Sequence, residues 1–374
     1  MATIKIAKSD FEAALKVVGN TVSSGGSDIG SHYLFRVIEG KLSLMSYGGR
    51  VYSSCPVVAT ADEDVMFTAE AWRVSNMLNA VPNNTVLTLD FKGSEVKVTT
   101  DRGKIEFSSL DPASFPFWDD TLLAAKETAR VSAERLAAAF SHAKMFIFTD
   151  EGKGPQLCVA EFRKGCLYST DQIAVSCIRV EGMENSEIRV HGKDVGALIS
   201  FLESAKGGDV TVLEHERSLF IKRDDGAVFG EALFGSRFPD FTVDWSLEDE
   251  YTWEFFREEF DGGVKFLTSG AVKGDNKLVL SPKTDEVNMV MTSASGKPMG
   301  VGLKTQKMSV KEGATELPEG GIPLSHPHLT MAFGGHSSSS ICLGVSKRGK
   351  GGWVRVRDTR GKDAYMTTVA WLRA

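Results

Sequence analysis

Tryptophan and tyrosine are scarce in these 374 residues, at six each, and histidine numbers seven. Cysteine is scarcer still. Cys55, Cys158, Cys166, Cys177 and Cys342 are odd in number, widely spaced, and form no C-x-x-C pair. That pattern excludes a disulfide-stapled scaffold and a thiolate zinc ribbon. It predicts free, buried thiols in a reducing cytoplasm. No apolar run approaches the roughly 18 residues that a spanning helix needs, so no membrane partner is expected. Residues 1–10 alternate polar and apolar, without a basic segment ahead of an apolar core, which argues against a secretory signal. An excess of positive charge is missing too. The formal net charge is −6, from 43 Lys and Arg against 49 Asp and Glu. A protein that grips nucleic acid through one broad basic face is thereby excluded, because phosphate neutralisation dominates such affinity. Any contact with DNA must rest on locally placed charge or on topology.

Catalytic signatures are also missing. There is no G-x-x-x-x-G-K-[ST] phosphate loop; Arg348-Gly349-Lys350-Gly351-Gly352 lacks the spacing and reads as a basic hairpin tip. No G-x-S-x-G elbow occurs. His326, His328 and His336 cluster without a Cys pair or an H-E-x-x-H frame, and read as helix-cap and loop residues. Asp171 follows Thr170 at a strand end, where turn hydrogen bonding is expected. No catalytic residue, metal ligand or cofactor is assigned.

What the chain does have is repetition. Its length suggests about two to four domains, and internal similarity divides it. Leu89 matches Val212, Val96 matches Leu219, Val98 matches Ile221, and Gly103 matches Gly226. Ile105 matches Val228, Leu110 matches Leu233, and Phe115-Pro116 matches Phe238-Pro239, all at an offset of 123 positions. The region from Ser9 aligns with that from Ser132 at the same offset. Val354 and Val356, with Gly361, extend the match into a weaker third unit. The expected domains are 1–122, 127–245 and 250–374, with linkers near 118–126 and 243–250.

Each unit reads as strand, helix, three strands, helix, three strands. First helices are expected over 9–22 and 132–146, second helices over 68–81 and 191–205, from apolar spacing such as Val195, Leu198, Ile199 and Leu202. Ser9 with Glu12 fits a capping box, and Ser132 is placed to cap in the same way. In the third unit, 252–256 resembles a first-helix start. A short second helix is expected around 323–333, with Ser325 capping and Pro327 in its first turn. Period-two runs such as Leu42-Ser43-Leu44-Met45 and Glu95-Val96-Lys97-Val98 read as strands. Asp101-Arg102-Gly103 and Asp224-Asp225-Gly226 read as hairpin turns. The fold class is therefore α+β.

Four stretches resemble the bacterial DNA sliding clamp, the beta subunit of DNA polymerase III, in a diverged or phage-encoded form: Leu42-Ser43-Leu44, residues 104–116, residues 169–176, and Gly235-Ser236-Arg237-Phe238-Pro239-Asp240-Phe241. Residues 364–373 resemble a clamp carboxyl terminus. The resemblance implies three clamp-type domains per chain, and a head-to-tail homodimeric ring around double-stranded DNA. It implies no enzymatic activity, and a processivity role with DNA polymerase and a clamp loader as partners.

By the same resemblance, phosphate contacts without base readout fall to Lys16, Arg73, Arg135, Lys144, Lys153, Lys193, Arg257 and Lys265. The dimer interface falls to edge strands at 104–110 and 284–292, with Arg102, Lys104, Ile105 and Phe107 on one side and Asp285 and Glu286 on the other. A pocket for partner peptides would be walled by Thr170, Ile173, Pro239, Val243, Thr368, Ala370 and Leu372. Three departures imply an altered peptide preference: a shorter turn after Asp171, Thr242-Val243 in place of a basic residue, and Trp371 where proline is usual. Two rival readings stand beside the clamp: a clamp-like scaffold that does not encircle DNA, and a β-rich hydrolase or glycan-binding protein with internal duplication.

Overall fold

Alternating burial sets the strands. In Ala2–Ala7 the side chains of Ala2, Ile4 and Ile6 are buried and those between them are not, the period of a sheet with one wet face. The computed structural model describes residues 2–23, 28–235, 238–239, 249–272, 277–282, 286–334, 338–348, 351–358 and 364–370. The chain packs as two compact units. One comprises 1–138 and 188–235, the other 139–187 and 236–374, so the second repeat contributes to both.

In the first unit, five strands run in the order Ala59–Ala61, Ala2–Ala7, Val86–Lys92, Glu95–Thr100, Gly103–Ser108. An eight-stranded sheet runs Lys126–Ser132, Asp209–His215, Ser218–Arg223, Val228–Ala232, Val51–Val57, Lys41–Tyr47, His32–Ile38, Val65–Glu70. Strands of repeats one and two meet within it. Val228–Ala232 pairs antiparallel with Val51–Val57, in register Val228↔Ser54 and Glu231↔Val51. The 123-residue offset survives in strand starts, Val86 with Asp209 and Glu95 with Ser218. Much of the phenylalanine goes to the interior. Phe35 stacks on Phe67 at 4.7 Å and meets Phe11 edge-on at 5.6 Å, all three fully buried. Each such ring stabilises the fold by about 1.5–3 kcal/mol.

In the second unit, one sheet includes, in order, Val159–Arg163, Cys166–Thr170, Ala174–Arg179, Ala364–Ala370, Gly351–Asp358, Ser340–Arg348, Tyr251–Phe256 and Lys307–Val310. Repeats two and three meet in it where Ala174–Arg179 pairs with Ala364–Ala370. A second sheet runs Pro298–Lys304, Glu286–Thr292, Lys277–Pro282, Ile322–Ser325.

Helices form where expected but with shifted ends. The first is Lys8–Val18, burying Phe11, Ala14, Val17 and Val18. Its predicted capping box does not form. The preceding extended residue is Ala7, no side chain caps it, and Glu12 is engaged instead by Lys8 at 3.2 Å. Lys8 is itself buried, its ammonium donating to the Val81 carbonyl at 2.8 Å. In the second repeat, Ser132 Oγ does accept from the Arg135 amide, at 3.5 Å, ahead of helix Ala133–Lys144.

The second helices are Ala71–Ala80 and Val195–Glu203. Residues 68–70, predicted helical, belong to a strand that runs directly into the helix, so more than three strands separate the two helices of a repeat. Tertiary pairing decides this: Val65–Glu70 pairs along His32–Ile38 from His32↔Glu70 to Val37↔Val65. The predicted helix start at 252–256 is likewise strand Tyr251–Phe256, where Trp253 and Phe255 alternate into the core and helix Arg257–Gly270 follows. The first linker contains a short helix, Asp119–Ala124. The short helix of repeat three is His326–Gly334. Four of the five cysteines are buried, Cys342 is half-buried, and none of the five is in a disulfide.

Candidate functional site

Six of the eight predicted basic residues sit on helices, because helix faces turned from the sheets are where charged side chains stay solvated. Lys16 is exposed on Lys8–Val18, Lys144 at the end of Ala133–Lys144, and Lys265 on Arg257–Gly270. Arg135 is half-buried on its helix. Lys193 is exposed just before Val195–Glu203. Arg73 pairs with Glu70 at 2.7 Å, Arg257 with Asp261 at 3.4 Å, and Lys153 with Asp150 at 3.0 Å. Surface pairs of this kind contribute only about 0–1 kcal/mol, so a phosphate can compete for the cation. Lys16 lines a groove of about 670 Å³ that also receives Lys206 and the carboxylates of Asp10, Glu12 and Glu203. Lys206 escaped the sequence reading because it lies beyond its helix, at φ +51°.

Of the residues expected to wall a peptide pocket, strand pairing brings Ile173, Thr368 and Ala370 together. Strand pairing places Thr368 opposite Val175, and the Ala370 amide donates to the Ile173 carbonyl at 3.0 Å. Ile173 is 38% exposed. Thr170 is buried, and its hydroxyl donates to the Ala174 carbonyl at 2.7 Å within the turn. Pro239 is half-buried, next to Phe238, whose carbonyl accepts from Arg163 Nη2 at 3.5 Å. Val243 and Leu372 lie outside the described residues.

The turn that carries Ile173 has a support that sequence reasoning did not connect. Asp171 Oδ1 accepts from the amides of Ile173 and Ala174, at 3.1 and 2.9 Å. Its Oδ2 meets His328 Nε2 at 2.7 Å, and His328 Nδ1 in turn meets Ser325 Oγ. Burial alone would raise the Asp171 carboxyl. The hydrogen bonds from His328, Ala174 and Ile173 and the His328 charge outweigh it and hold the group below the usual carboxylate range. Ser325 is buried. The imidazole here ties helix His326–Gly334 to the turn. His336 lies outside the described residues, among which no cluster of three metal-ligating side chains occurs.

The predicted edge strands are half right. Gly103–Ser108 is outermost in its five-stranded sheet, with Lys104 and Ile105 exposed, Arg102 exposed just before it, and Phe107 turned into the core. The strand at 284–292 is not an edge. Glu286–Thr292 lies between Lys277–Pro282 and Pro298–Lys304, so Glu286 is an interior-strand residue opposite Lys304. The turn that joins Ser293 to Lys297 folds Pro298–Lys304 onto the outer side. That strand, largely exposed and carrying Gly300 and Gly302, is the edge. Asp285 lies outside the described residues. Among the described residues no helix is long and apolar enough to cross a membrane.

No family model and no curated protein matches this sequence. Solved structures do. The DNA polymerase sliding clamp of Bacillus subtilis superimposes with a TM-score of 0.84 at 13% identity, covering 100% of this chain and 99% of that one. The DNA polymerase III beta subunit of Thermotoga maritima gives 0.82 at 12% identity, with 100% of both chains covered. The DNA polymerase III subunit beta sliding clamp of Bartonella birtlesii, solved bound to griselimycin, gives 0.83 at 16%, again over 100% of both. Over its whole length, this chain has the α+β fold of the bacterial DNA polymerase III beta sliding clamps.

Proposed function

We propose that this chain is a DNA sliding clamp: a non-catalytic processivity factor that encircles duplex DNA as a homodimer of three-domain chains and tethers a DNA polymerase to it. One observation carries the reading. Inside the chain, consecutive repeats meet by strand pairing, Val228–Ala232 on Val51–Val57 and Ala174–Arg179 on Ala364–Ala370. Repeat one keeps Gly103–Ser108 as an outermost strand and repeat three keeps Pro298–Lys304. Pairing these two edges between copies repeats the internal joint head to tail, and a two-fold axis then closes the ring.

Within such a ring Lys16, Arg73, Arg135, Lys144, Lys153, Lys193, Arg257 and Lys265 touch phosphate and read no bases, as sliding requires. A net charge of −6 suits retention by topology better than by grip. Ile173, Thr368 and Ala370, with Thr170, Pro239, Val243 and Leu372, form the pocket for a short peptide of a polymerase or clamp loader. Tethering raises the polymerase's effective concentration at the primer end. The setting is the cytoplasm, and no cofactor is required.

Ile105 is 44% exposed on the first edge strand. An Ile105→Asp chain should weaken dimerisation about tenfold or more, the scale of losing a buried apolar side chain and desolvating a charge. Sedimentation velocity at micromolar concentration checks this: a wild-type dimer and a largely monomeric variant are expected. A wild-type monomer, or a variant that stays dimeric at the same concentration, contradicts the edge-to-edge ring.

A further inference from the structure

On the eight-stranded sheet of the first unit, Arg36 pairs in register with Met66. The two-residue period therefore puts Arg36, Ile38, Asp64 and Met66 on one face, while Phe35, Val37 and Phe67 turn into the core. Phe117 and Asp119 wall this outer face, and together these side chains enclose a hollow of about 420 Å³. Its apolar lining is open to solvent: Ile38 is 45% exposed, Met66 40% and Phe117 38%. A cavity of that size accepts a large side chain with its neighbours.

Two further features narrow the occupant. The first is charge. Arg36 lies over the Phe117 ring at 5.3 Å and pairs with Asp119 at 2.5 Å, so its charge is already answered inside the hollow. Asp64 is exposed at the rim, accepting only the Gly40 amide at 3.3 Å among the hydrogen bonds described. The rim is left net acidic. The second is backbone. Val65–Glu70 is the last strand of its sheet. The Thr68 amide points away from His32–Ile38, since it donates to Ser109 Oγ at 2.8 Å. Two residues earlier, the Met66 amide and carbonyl face the same side. Ser109 and Leu110 occupy the edge at Thr68, and Met66 lies beyond them, beside the hollow.

We propose that this edge and hollow form a docking site for an extended peptide of another protein. The peptide adds a strand at Met66 and drops one large apolar side chain between Ile38, Met66 and Phe117. Lys or Arg beside that side chain faces Asp64. Main-chain pairing supplies affinity and the hollow selects the side chain, as in other strand-addition sites. None of the residues assigned to the carboxyl-terminal pocket takes part, so the site stands apart from the clamp reading.

The test uses the full-length protein. A displayed library of short random peptides is selected on wild type with counter-selection on Ile38→Lys, and enriched peptides are titrated by fluorescence anisotropy. The expected consensus is a Leu, Phe or Met with Lys or Arg within two positions. Ile38→Lys and Met66→Lys should each weaken binding about tenfold or more, with unchanged melting temperature, while Asp64→Asn weakens it less and flattens its salt dependence. Ile38→Ser replaces the lysine variant if that one fails to fold. The proposal is overturned if no enriched peptide distinguishes wild type from these variants, or if the consensus is acidic. It is equally overturned if Met66→Lys changes the sedimentation of the protein alone, which would make a second copy the occupant.

Discussion

Asp249→Ala should lower the unfolding free energy by about 3–5 kcal/mol, the scale of removing one partner from a buried ion-pair network. The Asp249 side chain is 1% exposed at the start of repeat three. Its Oδ1 meets Arg355 Nη1 at 3.1 Å and accepts from Ser346 Oγ at 3.3 Å, while its Oδ2 meets Arg357 Nη2. Burial pushes this carboxyl above the usual range, and Arg357, Arg355 and the Ser346 hydrogen bond offset only part of the rise. Arg355 is itself 6% exposed and lies over the Trp353 ring. Removing the carboxylate takes away the anion shared by Arg355 and Arg357, two like charges two residues apart on strand Gly351–Asp358, 6% and 19% exposed. Urea unfolding monitored by far-UV circular dichroism checks the loss. A change below about 1 kcal/mol would mean that the triad rearranges at little cost.

Gly344→Ala should cost nearly as much, about 3 kcal/mol, although alanine is ordinarily the better residue in a strand. Gly344 lies in Ser340–Arg348, opposite Arg355. A methyl group there would overlap Oδ2, Cγ and Cβ of Asp249. The carboxylate would have to leave its arginines, so this glycine is needed for room, not for backbone freedom. The two substitutions must then be non-additive. With Asp249 already truncated to alanine the added methyl no longer meets Oδ2 or Cγ and has only Cβ, at 3.0 Å, left to accommodate, so the double variant should be more stable than the sum of the singles by at least about 1 kcal/mol. Additive losses would show that Gly344 matters for another reason.

Neither residue was visible as important in the sequence, since each acts through partners about a hundred positions away. The architecture was more legible. An offset of 123 reproduced strand starts of repeats one and two because the apolar alternation that forms the strands is local. Helix starts failed where a lead-in strand is fixed by tertiary pairing, as at 68–70 and 252–256. The edge strand of repeat three was misplaced because local pattern identifies both arms of a hairpin without saying which is outermost. Met299, Val301 and Leu303 alternate as clearly as Val287, Met289 and Met291. Six of the eight basic residues assigned through the family resemblance do lie on helices. The Asp171–His328 contact was not legible, because it spans 157 positions.

Run-off from cut DNA tests the central claim most directly. The protein is placed on nicked circular plasmid by a bacterial clamp loader, beside a clamp of known behaviour, washed in high salt, and the plasmid is then cut once. Encirclement predicts that it stays on circles through the wash and leaves after linearisation. Retention that high salt abolishes on intact circles while the control clamp persists, or retention that cutting does not change, would contradict a topological link.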